Sequence, residues 1–203
     1  MNLRRDNLVL TAGTLAIATL LFVACGGSSS TATPKTAVST AASSSTTQAV
    51  TTTAKQPDDF VMKASDFTNL RRMTHVRGFF VDNKLGHLAV TLSIARGNVG
   101  GRYPVGTIVQ LVPNEAMVKR RVGFSPKSND WEFFSLDVSK TGTKIIKRGG
   151  AELVSQFTNT SCAACHGRAK PKFDFVCENT HGCAPLGIGD DVIKRIQNTD
   201  PRP

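Results

Sequence analysis

Thr107-Ile108-Val109-Gln110-Leu111-Val112, a break at Pro113-Asn114-Glu115, and then Ala116-Met117-Val118-Lys119-Arg120-Arg121-Val122 decide the fold class. β-Branched and apolar residues fill both runs, and the three-residue break is a tight connection, so the pair predicts an antiparallel hairpin. Trp131–Val138 is a third run of this kind, and Thr143–Lys147 a shorter fourth beyond Ser139-Lys140-Thr141-Gly142. Upstream, Leu88, Val90, Leu92 and Ile94 alternate with His87, Ala89, Thr91 and Ser93, the two-residue period of a half-buried strand. Phe60, Ala64, Phe67 and Leu70 recur at helical spacing, which predicts an amphipathic helix over 58–73. Downstream, Leu153, Val154 and Phe157 share one face of a short predicted helix that has Glu152 in its first turn. Asp190 caps a last predicted helix carrying Val192, Ile193 and Ile196, which Pro201 stops. Helix, antiparallel sheet, then helices is an α+β order: a sheet with flanking helices.

The ends of that region set the domain boundaries. Arg4 and Arg5 open a short positive segment, Leu8 to Ala24 carries no charge, and the run stops at Cys25-Gly26-Gly27. This is the order of a secretory signal. A twin-arginine signal would want an aromatic or leucine where Asn7 stands. Leu21-Phe22-Val23-Ala24-Cys25 resembles a bacterial lipobox, with Phe22 in place of the usual leucine. The resemblance implies removal of 1–24 and lipidation of Cys25. Gly26 in place of an aspartate then implies onward sorting to the outer membrane, with the protein facing the periplasm. Of the 27 residues 28–54, 22 are Ser, Thr or Ala, too polar and small to bury a core, so 25–55 reads as a lipid-anchored flexible linker. The folded domain is expected at 56–203.

The 203 residues carry 25 Lys+Arg against 15 Asp+Glu, yet 40% are hydrophobic. That balance excludes a wholly disordered chain, and one apolar stretch without a second excludes a polytopic membrane protein. Aromatics are sparse and no basic block is interleaved with them, which argues against a nucleic-acid binder. A basic surface of this kind would favour an acidic redox partner or anionic headgroups, against the equal reading of a solvated basic surface with no specific partner.

Ser161-Cys162-Ala163-Ala164-Cys165-His166 contains CxxCH. Two thiols three positions apart can form thioethers to the two vinyl groups of one haem, and the adjacent histidine can reach the iron, the pattern of a c-type haem attachment site. Cys162 and Cys165 are therefore the expected covalent attachment points of one haem c, and His166 the axial iron ligand. A thioredoxin-like CxxC would sit early in a βαβ unit, whereas this one follows a series of hairpins. A zinc site from Cys162, Cys165, Cys177 and Cys183 is the chemical alternative. In an exported protein, however, Cys177 and Cys183 are better read as a disulfide that fixes a small ring. His181 inside that ring reads as a solvated loop histidine before a ligand, and His75 and His87 as surface residues. Met62, Met73 and Met117 lie at apolar spacing and read as core. Phe79, Phe80, Phe133 and Phe134 suit either an apolar wall beside the iron or ordinary core.

Tyr103-Pro104-Val105-Gly106-Thr107, Met117-Val118-Lys119, Asp130-Trp131-Glu132-Phe133 and CAACH together resemble the cytochrome P-460 family and its relative cytochrome c′-beta. Phe173-Asp174-Phe175-Val176-Cys177 and the following ring resemble exported members of the group, so the match runs from about Gly78 to Cys183. The resemblance implies a haem cupped by an antiparallel sheet, one proximal histidine, a vacant distal position and often a homodimer. Some members oxidise hydroxylamine, while others bind nitric oxide and similar small ligands. The oxidising members carry a lysine cross-linked to the haem. The strand after Gly106 has no lysine, so Lys119 on the next strand is the nearest candidate, against an ordinary solvated strand lysine, and enzymatic activity stays open. Arg120 or Arg121 would pair with haem propionates, one of them at most, because alternation sends them to opposite faces. A simple electron carrier with a filled sixth position is the competing reading.

Overall fold

The computed structural model describes residues 60–203. The expectations for the signal 1–24, for Cys25 and for the linker 25–55 lie outside the described residues. Six strands form one antiparallel meander in chain order: β1 (Thr74–Val76), β2 (Phe79–Asn83), β3 (Thr107–Gln110), β4 (Glu115–Lys119), β5 (Trp131–Ser139) and β6 (Gly142–Gly149). Among the described residues three α-helices accompany it: α1 (Leu88–Arg96), α2 (Cys162–His166) and α3 (Asp190–Asn198). The protein is α+β, as the run of hairpins predicts. Among the described residues, no helix is long and apolar enough to cross a membrane.

Both faces of the sheet are covered. The pleat sends Val81, Val109, Met117, Trp131 and Phe133 to one face, where they pack with Ala163 and Val176 from the segment after the sheet. Ile108, Ala116, Val118, Phe134 and Leu136 go to the other face, under Met62, Phe67, Leu70 and Met73. All three of Met62, Met73 and Met117 are buried, as their spacing predicts. The four phenylalanines divide: Phe79 and Phe133 share the face of Ala163, while Phe80 and Phe134 lie on the opposite one.

Three sequence expectations fail. Residues 58–73 do not form a helix where they are described; two short 3-10 turns, Ala64–Asp66 and Leu70–Arg72, lead into β1. Asp66 takes the Lys63 amide (2.7 Å) and the Asn69 side chain accepts from the Arg71 amide (2.9 Å), so polar side chains compete for the backbone and break the helix. The alternating run from Leu88 is α1, not a strand. Its buried Thr91 and Ala95 stand four apart, Val90 is exposed, and the segment spans the long connection from β2 to β3. Asn83 Oδ1 accepts from the amides of Leu85 and His87 and starts that connection (2.9 and 3.1 Å). Residues 153–157 form no helix, because the Ser155 hydroxyl takes the amides of Phe157 and Thr158, and Val154 bridges Ser161 instead. The last helix forms at Asp190–Asn198 with Gly189 as its N-cap, one residue before the predicted cap.

Candidate functional site

CAACH is itself an element. The Leu153 carbonyl accepts from the Cys162 amide (2.9 Å), and the Ser161 hydroxyl caps the turn by accepting from the Ala164 amide (3.2 Å). The sequence thus folds into one and a half helical turns whose Ala163 is buried against the sheet. Cys162 and Cys165 are free thiols, each half-buried. Burial, reinforced by the charge of Glu115, pushes the Cys162 thiol up to about 11.

The His166 ring lies beside Phe133 of β5, with centroids 5.3 Å apart. Its Nδ1 is 2.8 Å from the Phe175 carbonyl oxygen. A carbonyl only accepts, so Nδ1 carries the proton and Nε2 keeps its lone pair. Among the described residues Nε2 makes no hydrogen bond. Burial holds the imidazole below its ordinary value and so neutral, against the opposing pull of the Phe175 hydrogen bond. A histidine whose Nδ1–H is fixed by a backbone carbonyl is the usual arrangement of a metal-bound imidazole. Two free thiols and this nitrogen on one short helix match the donor set that a covalently attached haem requires.

The turn holding Phe175 is itself held. Asp174 and Phe175 both have left-handed backbones (φ 50° and 67°), which non-glycine residues rarely adopt. The Asp174 carboxylate accepts from Lys119 Nζ (2.6 Å), Asn129 Nδ2 (2.5 Å) and the Tyr103 amide (2.7 Å), and its carbonyl accepts from the Trp131 indole (2.7 Å). Lys119 is fully buried, which overturns the solvated-lysine expectation. Two positions after Met117 and paired with Trp131, it shares the face of Met117 and Phe133. Burial pushes Asp174 up and Lys119 down, and each is drawn back by the other's charge.

Arg120 points to the far face, over the rings of Phe60 and Phe124 and 3.5 Å from Glu132, so it lies away from CAACH. β4 has ended by Arg121, a half-buried residue of the turn that follows.

Cys177 and Cys183 form the disulfide that their spacing suggested. Two of the four cysteines of the zinc alternative are therefore oxidised, and among the described residues no group of three or more His, Cys, Asp or Glu is placed to hold a metal ion. His181 is buried and not solvated: its ring stacks on Phe173 at 3.5 Å, and Nδ1 bonds the Val176 carbonyl (2.6 Å). Arg77 clamps the disulfide ring through an ion pair with Glu178 and also donates to the Ala95 carbonyl. His75 and His87 are exposed, as expected.

The spacing of CAACH exposed the cysteines and the histidine, but not Phe175 or Asp174, whose contributions are a carbonyl and a long-range ion pair. One signal could have found Lys119. β4 is apolar on both faces and so reads as a central covered strand, where a lysine needs a buried partner. Family models, curated proteins and solved structures all give no match to the chain.

Proposed function

We propose that the chain is a mono-haem c-type cytochrome that binds or oxidises small nitrogen-oxide ligands, nitric oxide or hydroxylamine, at an open distal iron position. The observation that carries this reading is the His166 ring, held at Nδ1 by Phe175 with Nε2 unbonded, on the same short helix as two free thiols. Cys162 and Cys165 would hold the haem vinyl carbons and His166 Nε2 the iron. Bound there, the haem supplies a site for a small ligand and one-electron transfer. The chain's own residues fix and exclude: Phe175 keeps the imidazole proton on Nδ1, and Phe133 and the apolar sheet face under Ala163 would keep water from the His166 ring. The likeness of YPVGT, MVK, DWEF and CAACH to the cytochrome P-460 group supports the ligand class, the cupping of the haem by the sheet and a homodimer. The lipobox-like stretch supports anchorage through Cys25 to the periplasmic face of the outer membrane. Whether hydroxylamine is turned over depends on a lysine cross-link, and the Lys119 ammonium is here committed to Asp174 and Asn129.

Carbon monoxide added to the reduced, haem-loaded chain tests the open position. A rapid and complete shift of the haem absorption bands is expected. An unchanged spectrum would leave a filled sixth position and a plain electron carrier.

A further inference from the structure

Two left-handed non-glycine pairs, Asn129-Asp130 (φ 51° and 62°) and Asp174-Phe175 (φ 50° and 67°), lie 45 residues apart in the chain and meet at one side chain. That side chain is Lys119. Its ammonium has three protons. One goes to the Asn129 carbonyl (2.8 Å) and one to Asp174 Oδ1 (2.6 Å), while the Trp131 ring stands 5.0 Å away and offers its π face. Asn129 closes the triangle by donating Nδ2 to the same Asp174 oxygen (2.5 Å). Left-handed backbone of this kind persists only where its surroundings over-determine it. Here a single buried cation ties both turns together.

The consequence lies one residue on. Phe175 directly follows Asp174, and its carbonyl is the acceptor that fixes the His166 ring. We propose that Lys119 is a positioning residue for His166: by pinning Asp174 it holds the left-handed turn that aims the Phe175 carbonyl at Nδ1. The inference rests on the reading of His166 as the iron ligand for its functional meaning, but the mechanical link does not require the haem. It gives the buried lysine a role other than attachment to the cofactor. It also accounts for a charged pair sealed under a sheet face where apolar residues would pack without desolvation cost.

The test uses the full chain, uniformly labelled with nitrogen-15, in detergent and reduced under carbon monoxide. Hydrogen exchange of the His166 Nδ1 proton is followed together with the amides of Phe133 and Phe134 in β5. Lys119→Met removes both donated bonds. The double variant Lys119→Met/Asp174→Asn also leaves no unpaired buried charge, and it serves if the single variant does not fold. The Nδ1 proton should exchange at least about tenfold faster, with the β5 amides unchanged. An unchanged Nδ1 rate in a folded variant overturns the proposal. So does an equal acceleration of the β5 amides, which would make Lys119 a general stabiliser. A chain that carries no haem would refute the haem reading by its absorbance alone, and the same exchange measurement on that colourless chain would still decide the role of Lys119.

Discussion

Ser161 precedes the five residues that concentrate the chemistry, Cys162–His166; its hydroxyl donates to the Ala151 carbonyl (3.1 Å), and the His166 ring bonds the Phe175 carbonyl (2.8 Å). The Ser161 hydroxyl satisfies the Ala164 amide at the helix start. Replacing Ser161 by Ala should cost about 1 kcal/mol, the usual value of an N-cap, since so short a helix has few other bonds. Amide exchange at Ala164 and Cys165 should rise in that variant while the sheet stays protected. Equal protection in both proteins would mean that packing of Ala163 alone holds the turn. The identity of these residues was open to reading because CxxCH is a local pattern that needs no partner. Their supports were not. Phe175 acts through a backbone carbonyl, which leaves no side-chain signature, and Lys119 meets Asp174 across 55 positions. Only the two-faced apolar character of β4 hinted that Lys119 had to be buried.

At the scale of elements, apolar positions were legible further than the shapes that carry them. Phe67 and Leu70 are core residues as expected, but Phe67 follows one 3-10 turn and Leu70 begins the other. A second reason, beside the local side-chain bonds, is at the other end of the chain. Asp200 accepts from the Leu70 amide (2.9 Å), Asn69 donates to the Arg202 carbonyl (2.5 Å), and Arg202 donates to the Phe67 carbonyl (3.1 Å). The tail therefore takes backbone groups that a helix would have used internally. Likewise α1 has strand-like alternation, and tertiary packing of Thr91 against Thr107 (2.9 Å between hydroxyls) overrides it. Neither long-range partner could be inferred from the local pattern.

That C-terminal latch has a pH signature. Burial alone would raise the Asp200 carboxyl, but hydrogen bonds from Arg202 and the Leu70 amide outweigh it and hold the group below its ordinary value. A carboxyl depressed in the fold stabilises it above the unfolded value of about 3.9. The contribution fades as pH falls through the lower folded value. Asp200→Asn strands Arg202, which is 1% exposed at its side chain, so it should cost about 3 kcal/mol at pH 7. Thermal melts of the two proteins should then converge on acidification. A gap that stays constant down to pH 2 would assign the loss to packing and not to the charge.

For the molecule as a whole, the meander puts its first-to-last strand order in chain order and covers both faces, leaving CAACH against one face and the C-terminal latch against the other. β5 links the two sides: Phe133 faces His166, and Phe134 packs on Phe67 at 4.8 Å between ring centroids. This division follows from strand parity and was accessible from the alternation in 131–138. The disulfide ring, clamped by Arg77 and by stacked Phe173 and His181, then closes the segment behind the histidine. Such a frame holds His166 of α2 against β5, as the proposed haem attachment would require.

The central claim is that Cys162 and Cys165 attach one haem, and the intact mass of the denatured chain tests it most directly. Made together with a haem-attachment system, the chain should be heavier by one haem and stay coloured after acid extraction. Cys162→Ala/Cys165→Ala should lose both the added mass and the colour. A colourless wild-type chain of unaltered mass, or one holding stoichiometric zinc on those thiols, would contradict the account.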